Sequence, residues 1–191
     1  ADAIREVGAG LQISPNGAAV LRGLGLQAEL DAASMRADAV ALIDGPSGEG
    51  VTRLDLARLR PGHGYHFLHR ADLIALLLTG AEAAGVKLRL LSCVSEVDLS
   101  GPAPAVQLDS GERVDSPLVI GADGLHSKTR AALNGVETPF FTRQVAWRAV
   151  IPCEPGAAPV AEVNMGPGRH LVSYPLRGGS LPQAGCERPV P

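Results

Sequence analysis

Leu118-Val119-Ile120 runs straight into Gly121-Ala122-Asp123-Gly124, and Leu125-His126-Ser127-Lys128-Thr129-Arg130 follows. That order constrains the fold of this chain more than any other feature. A continuous apolar run is the mark of a parallel strand covered on both faces, and Gly121 and Gly124 let the backbone turn sharply and approach a ligand. The helix expected from about Leu125 would have Asp123 as its cap. Its free N–H groups and dipole would favour an anionic phosphate. The pattern predicts an α/β fold. An ordinary capped strand-to-helix turn has the same pattern, so the residues alone leave both a cofactor turn and a plain turn open.

The chain has 191 residues, 46% of them hydrophobic and 19% charged, which describes a globular protein with a core to bury. A formal charge of −3 and 3% aromatic residues supply neither a basic surface nor a stacking platform, so nucleic-acid binding is not expected. The longest apolar stretch, Leu73 to Leu78, is far shorter than a bilayer span, and no integral membrane segment is expected. The N-terminus shows no secretory signal pattern, which points to a cytoplasmic protein. Cys93, Cys153 and Cys186 are isolated from one another. They suggest no disulfide framework or zinc knuckle, and Cys93 and Cys153 are expected as small buried hydrophobes.

Helical periodicity begins at Pro15-Asn16 and runs through Leu21 to Leu30 with a break at Gly25, and it returns over Arg70–Ala84. Residues 39–43 and 51–56 read as a hairpin across a flexible Asp44–Gly50 loop. A strand is expected over Val86–Leu91, then a small meander over 94–99, 105–108 and 113–115 leading to the Leu118 strand. Longer strands are expected over 144–151, 160–165 and 170–174.

Gly8-Ala9-Gly10 lacks the spacing of a phosphate loop, but it has no bulky side chains and could lie against a planar ring; a plain loop is the competing reading. His63, His66 and His69 are spaced by three, yet Pro61, Gly62 and Gly64 argue against the helix that would gather them on one metal. No metal site is expected. His170 reads as an ordinary sheet histidine that could alternatively face a substrate cavity.

Three blocks in order, Glu6-Val7-Gly8-Ala9-Gly10-Leu11-Gln12-Ile13-Ser14-Pro15-Asn16, His69-Arg70-Ala71-Asp72-Leu73 and Gly121 to Arg130, resemble the FAD-dependent class A aromatic-ring monooxygenases, in particular the salicylate-hydroxylase-like branch. Val145-Ala146-Trp147-Arg148-Ala149 and Gly166 to Leu171 are similar to that branch as well. The resemblance implies a Rossmann-like three-layer FAD-binding domain over residues 1–138, with an inserted hairpin at about 39–58, and the start of an antiparallel substrate-domain sheet over 139–181. It implies FAD as cofactor, NAD(P)H and oxygen as co-substrates, and hydroxylation of an aromatic acid or related ring. By the same resemblance Gly10, Leu11 and Gln12 lie along the isoalloxazine, Arg70 reaches the flavin or its phosphate and ribityl region, and Val94 offers a main-chain contact to the adenine side. Asp123 and Gly124 belong to an Asp-Gly turn associated with FAD and NAD(P)H. There Asp123 would act by hydrogen bonding and by shaping the turn, and Arg130 reads as a solvated side chain. No proton-transfer residue and no oligomeric state can be assigned.

The family's opening strand with G-x-G-x-x-G and its later Gly-Asp block do not occur in these 191 residues. A fragment is therefore expected, with unpaired strand edges. Residues 182–191, with Pro182, Pro189 and Pro191, are expected as an irregular tail because proline is excluded from central strands. The alternatives are a remnant that holds no flavin and an FAD oxidoreductase of other chemistry.

Overall fold

A computed structural model describes residues 4, 8–59, 61–152 and 156–177, and the backbone of 181–189. In chain order the elements are β1 (Gly10–Ile13), α1 (Pro15–Gly23), α2 (Gln27–Ala33), β2 (Met35–Arg36), β3 (Ala39–Asp44), β4 (Gly50–Asp55), α3 (Leu56–Leu59), β5 (His66–His69) and α4 (Arg70–Ala83). They continue with β6 (Val94–Asp98), β7 (Ala105–Leu108), β8 (Arg113–Asp115), α5 (Lys128–Asn134), β9 (Gln144–Val150), β10 (Val160–Gly166), β11 (Arg169–Leu176) and β12 (Leu181–Pro189). The chain divides into two compact units, a larger one of residues 5–86 and 143–191 and a smaller one of residues 1–4 and 87–142.

The larger unit is layered. β5 lies between β1 and β2 in a three-stranded sheet, and successive β5 side chains point to opposite faces. Leu68 joins Ala18, Leu21, Leu30 and Leu76, so α1, α2 and α4 cover one face. Phe67, fully buried, points the other way and packs with Ala37, Ala161, Tyr174 and Leu176 against a six-stranded sheet. That sheet has the order β4-β3-β10-β11-β12-β9. Its hairpin β3–β4 joins the later strands through a parallel β3–β10 pairing, Val160 opposite Ala39 through Met165 opposite Asp44. The inserted hairpin thus shares a sheet with strands that come more than a hundred residues later.

Residues expected to be an irregular tail form β12 instead, paired with β11 on one side and β9 on the other. The prolines do not interrupt it because they stand near its ends: Pro182 opposite Pro175, and Pro189 as the last residue opposite Gln144. In an antiparallel ladder each N–H faces one neighbour only, so a terminal proline removes one end bond and leaves the central rungs intact. Gly178, Gly179, Ser180 and Pro191, and the buried position expected for Cys153, lie outside the described residues.

The smaller unit holds the expected meander β6-β7-β8, with α5 packed along β6. Arg113 ties it together by pairing with Asp98 at 2.8 Å and Asp115 at 3.1 Å, and Arg89 forms a two-bond pair with Glu112. Two expected strands are absent there. Val86–Leu91 is irregular and exposed, and Leu118-Val119-Ile120 is irregular with Leu118 and Ile120 exposed. A strand is stable only beside another strand, and neither segment has a ladder partner among the described residues. Cys93 is likewise exposed, not buried, and a hydrogen bond with Asp109 raises its thiol above the ordinary range.

Candidate active site

β1 is an edge strand. Its pairing with β5 sets Gly10 opposite His69, Leu11 opposite Leu68 and Gln12 opposite Phe67, and the Arg70 N–H donates to the Ala9 carbonyl at 3.1 Å. The first two sequence blocks are therefore side by side: the bare backbone of Ala9-Gly10 adjoins the first residue of α4. Among the described residues β1 pairs with β5 alone, so its outer rim presents main-chain donors and acceptors over a stretch without bulk. A planar, polar-edged ring system fits such a rim.

Local chemistry fixes the start of α4. His69 is the N-cap, its Nδ1 accepting from the Ala71 N–H at 3.2 Å, and Asp72 stands in the first turn, where a negative charge suits the helix dipole. Asp72 also takes a two-bond ion pair from Arg177, at 2.9 and 3.1 Å, just beyond β11. That pair ties the helix start to the six-stranded sheet. Arg70 is exposed at the same turn.

An aromatic path leads inward from the rim. The Tyr65 hydroxyl donates to Gln12 Oε1 at 2.7 Å; Tyr65 meets Phe67 edge to face at 6.1 Å, and Phe67 meets Tyr174 at 5.0 Å. Burial raises the phenol of Tyr174 to about 12, with the positive charge of Arg148 opposing the shift. The Tyr174 hydroxyl therefore stays protonated at any working pH. Further along the same face of β11 stands His170, which with Met165, Arg169 and Gly45 lines an open cleft at the end of the sheet.

Beside the rim, His66 is buried and its Nδ1 lies 2.9 Å from Ser34 Oγ. Ser34 spends its one proton on the Leu30 carbonyl at 2.6 Å, so His66 Nδ1–H must be the donor to Ser34 Oγ. Burial lowers the His66 pKa; Asp31 opposes that shift, and Arg36 and Arg22 add to it. A Cβ at position 64 would stand 2.1 Å from His66 Nε2, which explains Gly64. The histidine triplet is thereby dispersed: His66 holds Ser34, His69 caps α4, and His63 is exposed. Among the described residues no group of three His, Cys, Asp or Glu could hold a metal.

In the smaller unit the helix begins at Lys128, not near Leu125, and Ser127 is its N-cap. Asp123 reaches that helix from outside, accepting from Ser127 Oγ at 2.5 Å, from Lys128 N–H at 2.6 Å and from Thr129 N–H at 3.1 Å. Ser127 Oγ takes the Arg130 N–H and its carbonyl the Ala131 N–H. All four N–H groups of the first turn are thus satisfied within the chain, and none is left for the phosphate expected there. These bonds hold the Asp123 carboxyl at about 2, so it is an anion that shapes the turn. Gly124 has φ +74°, and a Cβ at Gly121 would press within 2.5 Å of Thr129. Arg130 is not simply solvated: its guanidinium donates to the carbonyls of Gly124 and Leu125 and closes the turn. Val94 opens β6 opposite Leu108, half-buried.

Neither β1 nor β5 is expected as a strand from the sequence. Both have four residues, and their partners are more than fifty positions apart, which no local pattern encodes. The one local signal was the apolar pair Phe67-Leu68, which serves two cores at once.

Known proteins resemble this chain in sequence and in fold. The family described as "FAD binding domain" matches residues 6–170. The chain is 34% identical over 180 residues to the 3-amino-4-hydroxybenzoate 2-monooxygenase of Streptomyces cremeus, covering 91% of this chain and 45% of that protein. It is 30% identical over 185 residues to 3-hydroxybenzoate 6-hydroxylase 1 of Aquipseudomonas alcaligenes, covering 92% and 47%. Among solved structures, Klebsiella pneumoniae HpxO complexed with FAD and uric acid shares the fold at a TM-score of 0.82 and 23% identity, over 99% of this chain and 49% of that one. The chain spans about half the length of the curated relatives it matches. Among the described residues no helix is long and apolar enough to cross a membrane. With the family matched over residues 6–170 and the aromatic-hydroxylase fold in place, the chain belongs to the FAD binding domain family.

Proposed function

We propose that this chain is part of an FAD-dependent monooxygenase that draws reducing equivalents from NAD(P)H and hydroxylates an aromatic acid or related ring. The observation that carries the reading is the open rim of β1 held beside Arg70 and linked through Gln12, Tyr65 and Phe67 to the inner face of the six-stranded sheet. When bound, FAD supplies the acceptance of a hydride and the activation of oxygen. The protein's part is to hold and orient.

Gly10, Leu11 and Gln12 offer main-chain groups to the edge of the flavin ring, and Arg70 offers a cation to its ribityl and phosphate portion. Val94 gives a main-chain contact on the adenine side. Asp123 and Gly124 shape a turn at the nucleotide, and with its helix N–H groups already satisfied Asp123 acts by accepting from hydroxyls or water. The sheet face that carries Tyr174 and His170 forms a wall for the substrate ring. The names of the relatives, hydroxylases of benzoate-type acids, support an aromatic acid as substrate. A cytoplasmic setting is part of the same reading.

The test is made on the full-length protein that contains this chain. Flavin absorbance after purification, NAD(P)H oxidation stimulated by an aromatic acid, and label from isotopic dioxygen in the product are the expected results. Arg70→Ala is expected to weaken FAD binding about tenfold. NAD(P)H oxidation without label in the product would favour a flavin oxidoreductase of other chemistry, and protein devoid of flavin would favour the remnant.

A further inference from the structure

The start of α4 holds an electrostatic conflict. Asp72 in the first turn suits the helix dipole, but an anionic cofactor held at Arg70 would meet that carboxylate two positions along the same turn. Two negative charges so close repel, and binding weakens unless one of them is compensated.

Arg177 brings a compensating charge from 105 positions away. Its Nε and one terminal nitrogen donate to the two carboxylate oxygens of Asp72, at 3.1 and 2.9 Å, in the parallel arrangement that fixes direction as well as distance. Leu176 beside it is fully buried in the Phe67 cluster, so the guanidinium is carried on a firm point of the six-stranded sheet. The backbone at Arg177 has φ +49°, in the left-handed region that side chains rarely adopt. Residues held in such a conformation are fixed by their surroundings, and they collect at ligand clamps. The pair itself is partly in water, with the Arg177 side chain 48% exposed and that of Asp72 28%. A surface ion pair of that kind adds little to folding stability, which leaves the strained backbone at its root to be explained by something else.

We infer that Arg177 is a positioning residue for the cofactor: it holds the Asp72 carboxylate to the sheet and cancels its charge, so that the phosphate portion of the flavin nucleotide meets Arg70 and not a carboxylate. The inference rests on the proposed seat of FAD beside Arg70 and deepens it. Arg70, Asp72 and Arg177 all lie within the larger unit.

The test is FAD binding to the full-length protein freed of its flavin, followed by flavin fluorescence at low and at high salt, with each variant compared with the unaltered protein under the same conditions. Arg177→Met leaves the Asp72 carboxylate uncompensated and is expected to weaken FAD about threefold to tenfold at low salt, with most of that ratio lost at high salt. Arg177→Lys keeps the charge and is expected to keep most of the affinity. Adding Asp72→Asn to Arg177→Met removes the carboxylate and is expected to bring FAD binding back to within about twofold of the unaltered protein. A double variant no tighter than Arg177→Met, with a loss that salt does not relieve, would show a merely structural tie and overturn the inference. FAD bound equally well by all variants would overturn it as well and leave the cofactor reading standing. Full-length protein that takes up no FAD in any form would sink both.

Discussion

The larger and smaller units both carry apolar runs, yet the runs that stand out in each meet water differently. In the larger unit Phe67, Leu68, Leu30 and Leu176 are all but sealed from water. In the smaller unit Leu88, Leu91, Leu118 and Ile120 are exposed, the last at 80%. Hydrophobicity does not separate the two groups; pairing does. Each buried residue stands on a strand or helix with a covered face, whereas 86–91 and 118–120 have no ladder neighbour among the described residues. An apolar run is only a candidate strand until a second backbone satisfies its N–H and C=O groups.

Phe67→Ala gives that contrast its largest expected effect. Phe67 bridges two sheets and touches both Tyr65 and Tyr174, so truncation should cost about 3–5 kcal/mol in denaturant unfolding of the larger unit. Next comes a pH effect at His66. Its pKa is lowered in the folded state, so the fold favours the neutral ring; the stability this contributes is complete above the ordinary histidine value of about 6.5 and declines as pH falls below it. Thermal unfolding between pH 8 and pH 5 should show that decline, and His66→Gln should flatten it. Gly124→Ala, placed at φ +74°, should cost about 1–2 kcal/mol and loosen the Asp123 turn, seen as faster amide exchange at Lys128 and Thr129. Ile120→Ser should change stability by no more than about 0.5 kcal/mol, because the side chain is already in water. A large loss there would show that the exposed run is covered in the protein and would erase the contrast.

Much of this was legible in the chain. α1, α4, the β3–β4 hairpin and the strands after Gln144 follow from local periodicity and from the punctuation of Pro15, Gly25 and Gly85, which need no distant information. The turn at Asp123 was legible as a turn, but not the identity of its cap: Ser127 and Asp123 both carry cap-forming oxygens, and three-dimensional reach decided between them. β12 was misread because proline was weighed by identity and not by place in the strand. The rim of β1 and its partner β5 could be found only through the family resemblance, since a four-residue pairing across more than fifty positions leaves no periodic trace.

The central claim is that the rim formed by Gly10, Leu11 and Gln12, beside Arg70, is where this family's cofactor ring rests. Amide hydrogen exchange on the full-length protein, with and without FAD, tests it most directly. Slower exchange at Leu11, Gln12 and the first turn of α4 on flavin binding is the predicted result. Bound flavin with unchanged exchange at both segments would contradict it.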